Sequence, residues 1–212
     1  MNEPSKRAGD QHKGHKGYGG GGFGQGPAAS PEHVVSLVTK AQGGDEKAFS
    51  ELYETFVSPI YRYIFFNVRN KDEAEDLTQT VFLKAFKALP DYVARGVPFG
   101  AWLYAIARNA TIDYWKKRRD VVVDNPDELF GEIKDTKEDA EASTSRERRA
   151  SYIRDLLGEL SLDQREVVTL FFVEELSHTE IAQITGKTEE AIRALKHRAI
   201  KALREKVDER YL

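Results

Sequence analysis

The sequence contains no cysteine. Disulfides, thiol catalysis and cysteine-held zinc or iron–sulfur centres are therefore excluded, and a cytoplasmic setting is expected. Long apolar runs are missing as well. The longest, Val167–Val173, is about a third of the ~20 residues a membrane helix needs, so no membrane insertion is expected. Basic residues near the N-terminus have no apolar stretch behind them, so a secretory signal is not expected. Strand-like alternation is absent too, which leaves helical periodicity to build the core. Catalytic constellations are equally scarce. Glu175-Leu176-Ser177-His178 spells half of a di-iron motif, but such a site needs a second pair and two further Glu. Ser177 explains that stretch as a helix cap. His12 and His15 sit on a glycine-rich chain and read as solvated polar residues. No catalytic residue, metal or cofactor is expected.

The 212 residues suffice for one ordinary domain or two small ones. Residues 1–30 hold 9 of the 16 glycines and cannot bury enough apolar area to offset their chain entropy, so they read as a disordered tail. Residues 121–141 carry 2 basic and 8 acidic side chains, a net −6 in a chain whose total is −3. The remainder is +3, modest for a protein that binds DNA unaided.

Between these segments the periodicity is helical. Ser30-Pro31 opens a first helix that Gly43-Gly44 ends. Asp45 caps a second, which Pro59 is expected to interrupt or restart on its way to Asn70. Asp72 with Glu75 has the spacing of a capping box, and that helix ends before Pro90. Pro98 opens a long helix to Arg119. Helix returns from about 149, with Ser161/Gln164 and Ser177/Glu180 as further capping boxes and Thr188 capping the last helix. The expected fold is all-α, with two small helical domains: 31–120 and 149–212, joined by a flexible acidic linker at 121–148.

Three constellations stand out. In residues 177–204 a short helix, a turn at Gly186 and an amphipathic helix form a helix-turn-helix pattern. Its outer face carries Glu189, Glu190, Arg193, Ala194 and His197, within reach of base edges: Arg193 can donate to guanine and a Glu can accept from cytosine. Lys196, Arg198 and Lys201 are placed for phosphates. A helical hairpin with a solvated charged face would have the same pattern. In the second, the helix after Pro98 ends in Lys116-Lys117-Arg118-Arg119 beside Tyr114 and Trp115. Cations at a C-terminus suit the helix dipole, and cations interleaved with aromatics also suit a surface that holds single strands. Trp102, at helical spacing, reads as core. The third, Asp72 to Phe82, is an acidic helix start, with Leu77, Val81 and Phe82 on its inward side.

In this order the three pieces resemble the sigma-70 family of RNA polymerase sigma factors, of the extracytoplasmic-function type, over about residues 34–120 and 149–208. The resemblance implies a promoter-specificity factor that binds core polymerase and promoter DNA and has no active site of its own. A conventional helix-turn-helix regulator is the alternative. The stretch from Asp76-Leu77-Thr78-Gln79-Thr80 to Leu83 looks like the polymerase-docking helix. Its polar face of Asp72, Glu75, Asp76, Gln79 and Thr80 would meet the beta-prime clamp. Phe99, Asn109, Asp113 and Lys116, Lys117, Arg118 and Arg119 look like the minus-ten reading and melting region. The loop Pro90–Val97, with Tyr92 and Arg95, is the candidate lid of a base pocket. Glu189, Glu190, Arg193, Ala194, Lys196, His197 and Arg198 would serve the minus-35 element. The beta flap and an anti-sigma factor are further implied partners.

One departure is visible. Ala191-Ile192-Arg193-Ala194-Leu195 stands where the family commonly has Thr-Val-Lys-Ser-Arg. Leu195 falls on the apolar face and is expected to point inward, which shifts the phosphate contact to Lys196 and Arg198.

The acidic stretch has two readings, a tether along a positively charged polymerase channel or a solubilising linker. On the first, neutralising Asp135, Glu138, Asp139 and Glu141 lowers holoenzyme stability, most at low salt. Indifference of initiation and core affinity to that change leaves the solubilising linker.

Overall fold

A computed structural model describes residues 30–94, 96–124 and 145–207. The glycine-rich tail, Arg95, residues 125–144 and the last five residues lie outside them. Eight α-helices make up the described part: α1 (Pro31–Gln42), α2 (Glu46–Val68), α3 (Lys71–Ala88), α4 (Phe99–Asp124), α5 (Ser145–Gly158), α6 (Leu162–Val168), α7 (His178–Thr185) and α8 (Glu189–Arg204). A 3-10 turn at Leu89–Asp91 follows α3, and a π turn at Thr169–Val173 follows α6. Among the described residues there is no strand, and no helix is long and apolar enough to cross a membrane.

Most boundaries follow from local chemistry. Ser30 accepts from the N–H of His33, and Asp45 accepts from those of Lys47 and Ala48. Ser161/Gln164 and Ser177/Glu180 are complete capping boxes. Each such cap is worth about 1 kcal/mol, a large share for helices of 7 and 8 residues.

Three expectations need correction. Pro59 neither breaks nor restarts α2, which runs unbroken for 23 residues. Phe56, Ile60, Tyr63 and Ile64 are almost fully buried on both sides of the proline, and their packing outweighs one lost backbone hydrogen bond. The cap of α3 is Asn70, whose side chain accepts from Glu73 N–H, so Asp72 lies in the first turn. Helix α4 continues past Arg119 to Asp124, and α5 begins at Ser145, so helix enters both ends of the expected linker. No breaker stands before Asn125-Pro126. The apolar run Val167–Val173 is divided between α6 and the π turn.

The two halves pack directly on one another. One apolar core runs from Val34 in α1 to Leu195 in α8. A smaller cluster of Leu157, Leu160, Val168 and Ala199 receives Phe66 from α2. Polar groups stitch the seam. Tyr63 Oη donates to Glu166 Oε1 at 2.9 Å. Arg108 Nε lies 2.9 Å from the same oxygen, off-line for a strong hydrogen bond, and acts as a charge contact. Arg62 donates twice to Glu174, at 3.2 and 2.9 Å, and Tyr104 Oη adds a third bond at 3.0 Å. The Glu174 side chain is only 2% exposed.

Arg165 is buried without a carboxylate. Its guanidinium donates to the carbonyls of Leu157, Gly158, Leu160 and Asn67, gathering the C-terminal ends of α5 and α2. Those ends carry partial negative charge. Burial, with a smaller contribution from the Arg69 charge, lowers its pKa to about 10, so it stays charged at neutral pH. Gly158 makes room for the Arg69 guanidinium, which a Cβ there would strike.

Burial pushes the Glu166 carboxyl up, opposed by the Arg108 charge and the Tyr63 and Arg108 contacts. A folded value above the unfolded ~4.3 means that the folded state holds the proton more tightly. Stability from this group is full below the unfolded value and is lost as pH rises through the folded one. Denaturant melts at pH 4.5 and 7 are expected to show the wild type losing ground to Glu166→Gln as pH rises. A gap that stays constant, or moves the other way, would show that Arg108 outweighs burial.

Candidate nucleic-acid interface

The helix-turn-helix is built by its caps. Helix α7 ends at Gly186, whose φ of 69° is the left-handed conformation a tight turn requires. Its N–H closes on Ala182 O at 2.9 Å. Thr188 then caps α8 by accepting from Ala191 N–H. Ile192, Leu195 and Ala199 are buried against α6 and α7, so Leu195 points inward as expected.

Glu190, Arg193, Ala194, His197 and Arg198 form the exposed face of α8, with Glu189 at its edge. Arg193 lies 2.6 Å from Glu189 and 3.8 Å from Glu190. Glu189 also accepts from Thr179 Oγ1 at 2.7 Å. Exposed pairs of this kind are worth under about 1 kcal/mol. A guanine edge can therefore take the guanidinium over.

Lys196 sits differently from its neighbours. Its Nζ lies 3.7 Å from the centre of the Phe171 ring, and the side chain is half-buried. His178 packs on the same ring at 5.0 Å. Burial lowers the pKa of both Lys196 and His178, and neighbouring cations lower them further. In this structure Lys196 ties α8 to the π turn and stands off the outer face.

Helix α4 presents a second face. Phe99, Leu103, Tyr104, Ala107, Ala110 and Thr111 are buried. Asn109, Asp113, Lys116, Lys117 and Arg119 are exposed along successive turns. Arg118 is half-buried and donates to Tyr114 Oη at 3.1 Å. Trp102 is half-buried between Tyr92, at 4.9 Å, and Phe99, at 5.4 Å. The preceding loop is pinned from two sides. Gln42 donates to the carbonyls of Leu89 and Tyr92, and Tyr92 Oη donates to Val97 O at 2.8 Å. Tyr92 is thus a strut of an aromatic cluster at the α4 N-terminus; Arg95 lies outside the described residues.

On α3, Asp72, Glu75, Asp76, Gln79 and Thr80 are all exposed, while Ala74, Thr78, Val81, Phe82 and Ala85 face the core. The sequence reading missed how this stripe continues: Leu83 and Phe86 are 56% and 53% exposed. The i, i+3, i+4 spacing from Asp76 and Gln79 was the available signal. A polar stripe grading into exposed apolar side chains has the composition that docking surfaces have. Among the described residues, no three His, Asp or Glu side chains are grouped to hold a metal ion.

Residues 52–121, from α2 to α4, match the family model for sigma-70 region 2, and residues 150–203, from α5 to α8, match that for sigma-70 region 4. The chain is 35% identical to the sigma factor BldN of Streptomyces coelicolor, over 84% of this chain and 67% of that protein. It is 32% identical to SigD of Mycobacterium tuberculosis, over 83% and 84%. The chain belongs to the extracytoplasmic-function sigma factors of the sigma-70 family.

Two solved structures align with this chain over most of its length. The sigma factor RpoE of Bartonella quintana, solved with the anti-sigma factor NepR, aligns at a TM-score of 0.64 and 27% identity, covering 77% of this chain and 99% of that one. CnrH, solved with the cytosolic domain of CnrY, aligns at 0.62 and 21%, covering 80% and 94%. As a sigma factor, the protein is a promoter-recognition subunit that works with core RNA polymerase in transcription initiation. The region 2 match, on the half without the helix-turn-helix, sets aside the conventional regulator.

The geometry separates Lys196 from its neighbours in a way that melting can test. Lys196→Ala is expected to cost about 0.5–2 kcal/mol in the absence of DNA. Unchanged stability combined with a uniform loss of DNA affinity would return Lys196 to the phosphate-contact role.

Proposed function

We propose that the sigma factor divides its work among three faces. The α3 stripe of Asp72, Glu75, Asp76, Gln79 and Thr80, extended by Leu83 and Phe86, docks on the beta-prime clamp. The exposed turns of α4, with the Tyr92–Phe99 cluster and Arg95, hold the minus-ten element and its melted strand. The outer face of α8 reads the minus-35 duplex through Glu189, Glu190, Arg193, Ala194, His197 and Arg198, and the second half also meets the beta flap. Residues 31–120 and 149–212 act as the two working domains, and the acidic residues between them act as the tether. The chain supplies no bond-making chemistry; polymerase does. It acts in the cytoplasm, and an anti-sigma factor is its regulator, a reading supported by the partners of the two similar structures.

The observation that carries this reading is that three separate faces stay exposed on one small helical body. Melting follows from binding. Taking a base out of the stack costs a few kcal/mol, and a pocket that binds only the unstacked base recovers it. A near-neutral chain binds DNA weakly alone, so polymerase completes the affinity.

Run-off transcription with purified core polymerase tests the proposal. The chain is expected to confer initiation, and Gln79→Ala to weaken core binding without unfolding the protein. On holoenzyme, Arg193→Ala is expected to relax preference at one or two minus-35 positions, by about 1–3 kcal/mol. Replacing Lys116 and Arg118 is expected to weaken all promoters and reduce the salt slope by roughly one per lost contact. A uniform loss from Arg193→Ala would make it a phosphate contact. A changed minus-ten base preference from the Lys116 and Arg118 variants would make those residues readers. No initiation with wild type would sink the proposal.

A further inference from the structure

The stretch of α8 that opens the recognition helix, Glu189 to Leu195, holds a single basic side chain, Arg193. Two acids stand before it, Glu189 and Glu190. Acids facing phosphates weaken binding, so each costs affinity unless its charge is cancelled. The two acids sit differently. The Glu190 side chain is 82% exposed, and its Oε1 lies 3.8 Å from Arg193, too far for a hydrogen bond. The Glu189 side chain is 35% exposed, and each of its oxygens carries a bond. Its Oε2 accepts from the Arg193 guanidinium at 2.6 Å, and its Oε1 accepts from Thr179 Oγ1 at 2.7 Å.

Thr179 belongs to α7, the other helix of the motif. That changes what the ion pair does. A pair four residues apart on one helix is two long side chains that swing together, and it adds little stability. Here the carboxylate is anchored from a second helix, whose own start is fixed by the Ser177/Glu180 capping box. Helices α7 and α8 pack on each other, so the motif's own packing sets where the carboxylate stands. A free arginine gives up rotamer freedom when it meets a base. A carboxylate that already holds the guanidinium removes that cost in advance. A guanidinium has five N–H groups and a guanine edge engages two, so Arg193 can meet guanine without leaving Glu189. The pairing also cancels the Glu189 charge beside the phosphates.

We propose that Thr179 and Glu189 are positioning residues: through a hydroxyl–carboxylate–guanidinium relay they hold Arg193 in the orientation that reads a guanine of the minus-35 element. The inference deepens the sigma-factor reading above and rests on it. Glu189 passes from reader of a base to holder of the reader, and Glu190 is left as the exposed carboxylate that can accept from cytosine.

Thr179→Val keeps the branching, the helix propensity and the charge, and removes the hydroxyl. Thr179→Ser keeps the hydroxyl. Holoenzyme reconstituted with each full chain is used to select minus-35 sequences from a promoter library, and the salt slope is measured on the preferred promoter. Thr179→Val is expected to weaken preference at the same one or two positions as Arg193→Ala, by roughly 2- to 12-fold. The salt slope is expected to stay, because no charge is lost. Thr179→Ser is expected to keep the wild-type preference. In an Arg193→Ala background, Thr179→Val is expected to change nothing further, since the residue it acts through is gone. A loss spread evenly over all promoters, or one additive with Arg193→Ala, would make Thr179 a phosphate contact or a plain tie between helices, and overturns the relay.

A second measurement needs neither polymerase nor DNA. In the free full chain, the Nε–H order parameter of Arg193 is expected to be that of a held side chain. It is expected to fall in Thr179→Val and in Glu189→Ala, and to persist in Thr179→Ser. An Arg193 Nε–H already mobile in the wild type contradicts the relay, whatever the promoter data. Run-off transcription by the wild type separates the two failures. No initiation removes the sigma-factor reading, whereas initiation with an intact minus-35 preference in Thr179→Val removes the relay alone.

Discussion

Both halves of this protein depend on the burial of one long helix. Helix α2 packs on α1, α3 and α4 with one set of faces and on α6 and the π turn with another. Leu52, Phe56, Ile60, Tyr63 and Ile64 are at most 2% exposed along it. Each such side chain is worth about 1.5–3 kcal/mol when fully buried, which explains why a proline in mid-helix is tolerated. Tyr63 shows the compromise in one residue. Its ring fills the core against Tyr104, while its hydroxyl reaches across the seam to Glu166. The same helix therefore holds the first half together and makes the surface on which the second half rests.

From that axis the proposed recognition faces follow by exclusion. Helix α3 spends its small apolar side on α2 and α4, so its acids, Gln79, Leu83 and Phe86 turn outward. Helix α8 spends Ile192, Leu195 and Ala199 on α6 and α7, leaving Arg193, His197 and Arg198 free of the core. Helix α4 is shared: Tyr104 and Arg108 serve the seam, while Asn109, Asp113 and Lys116 face solvent. Recognition surfaces on a sigma factor of this size are what remains after short amphipathic helices have buried one stripe each.

What was legible in the sequence was local. The capping serines, Thr188, Gly186 and the inward turn of Leu195 depend on neighbours within four residues, and all stand where the sequence puts them. The family was legible because three moderately specific motifs occur in one order. The misreadings are tertiary. Pro59 carries a breaking signal that packing overrides. Asn70 took the cap that the Asp72/Glu75 spacing mimicked. Lys196 looked like its exposed neighbours until Phe171, 25 positions earlier, came under it. The seam was the least legible part. Glu166 and Glu174 have the composition of surface carboxylates, and their partners Tyr63 and Arg62 lie 103 and 112 positions away. No local pattern announces a buried acid whose partner lies in the other half.

As a sigma factor, this chain is expected to position polymerase on two separated DNA elements and to open the duplex at one of them. Hydroxyl-radical footprinting combined with permanganate probing, on DNA selected by the reconstituted holoenzyme, tests this most directly. The expected result is two protected patches about 25 base pairs apart, with reactive thymines at the downstream one, and only when the chain and core polymerase are both present. A single contiguous patch with no reactive thymine, unchanged by omitting polymerase, would contradict it.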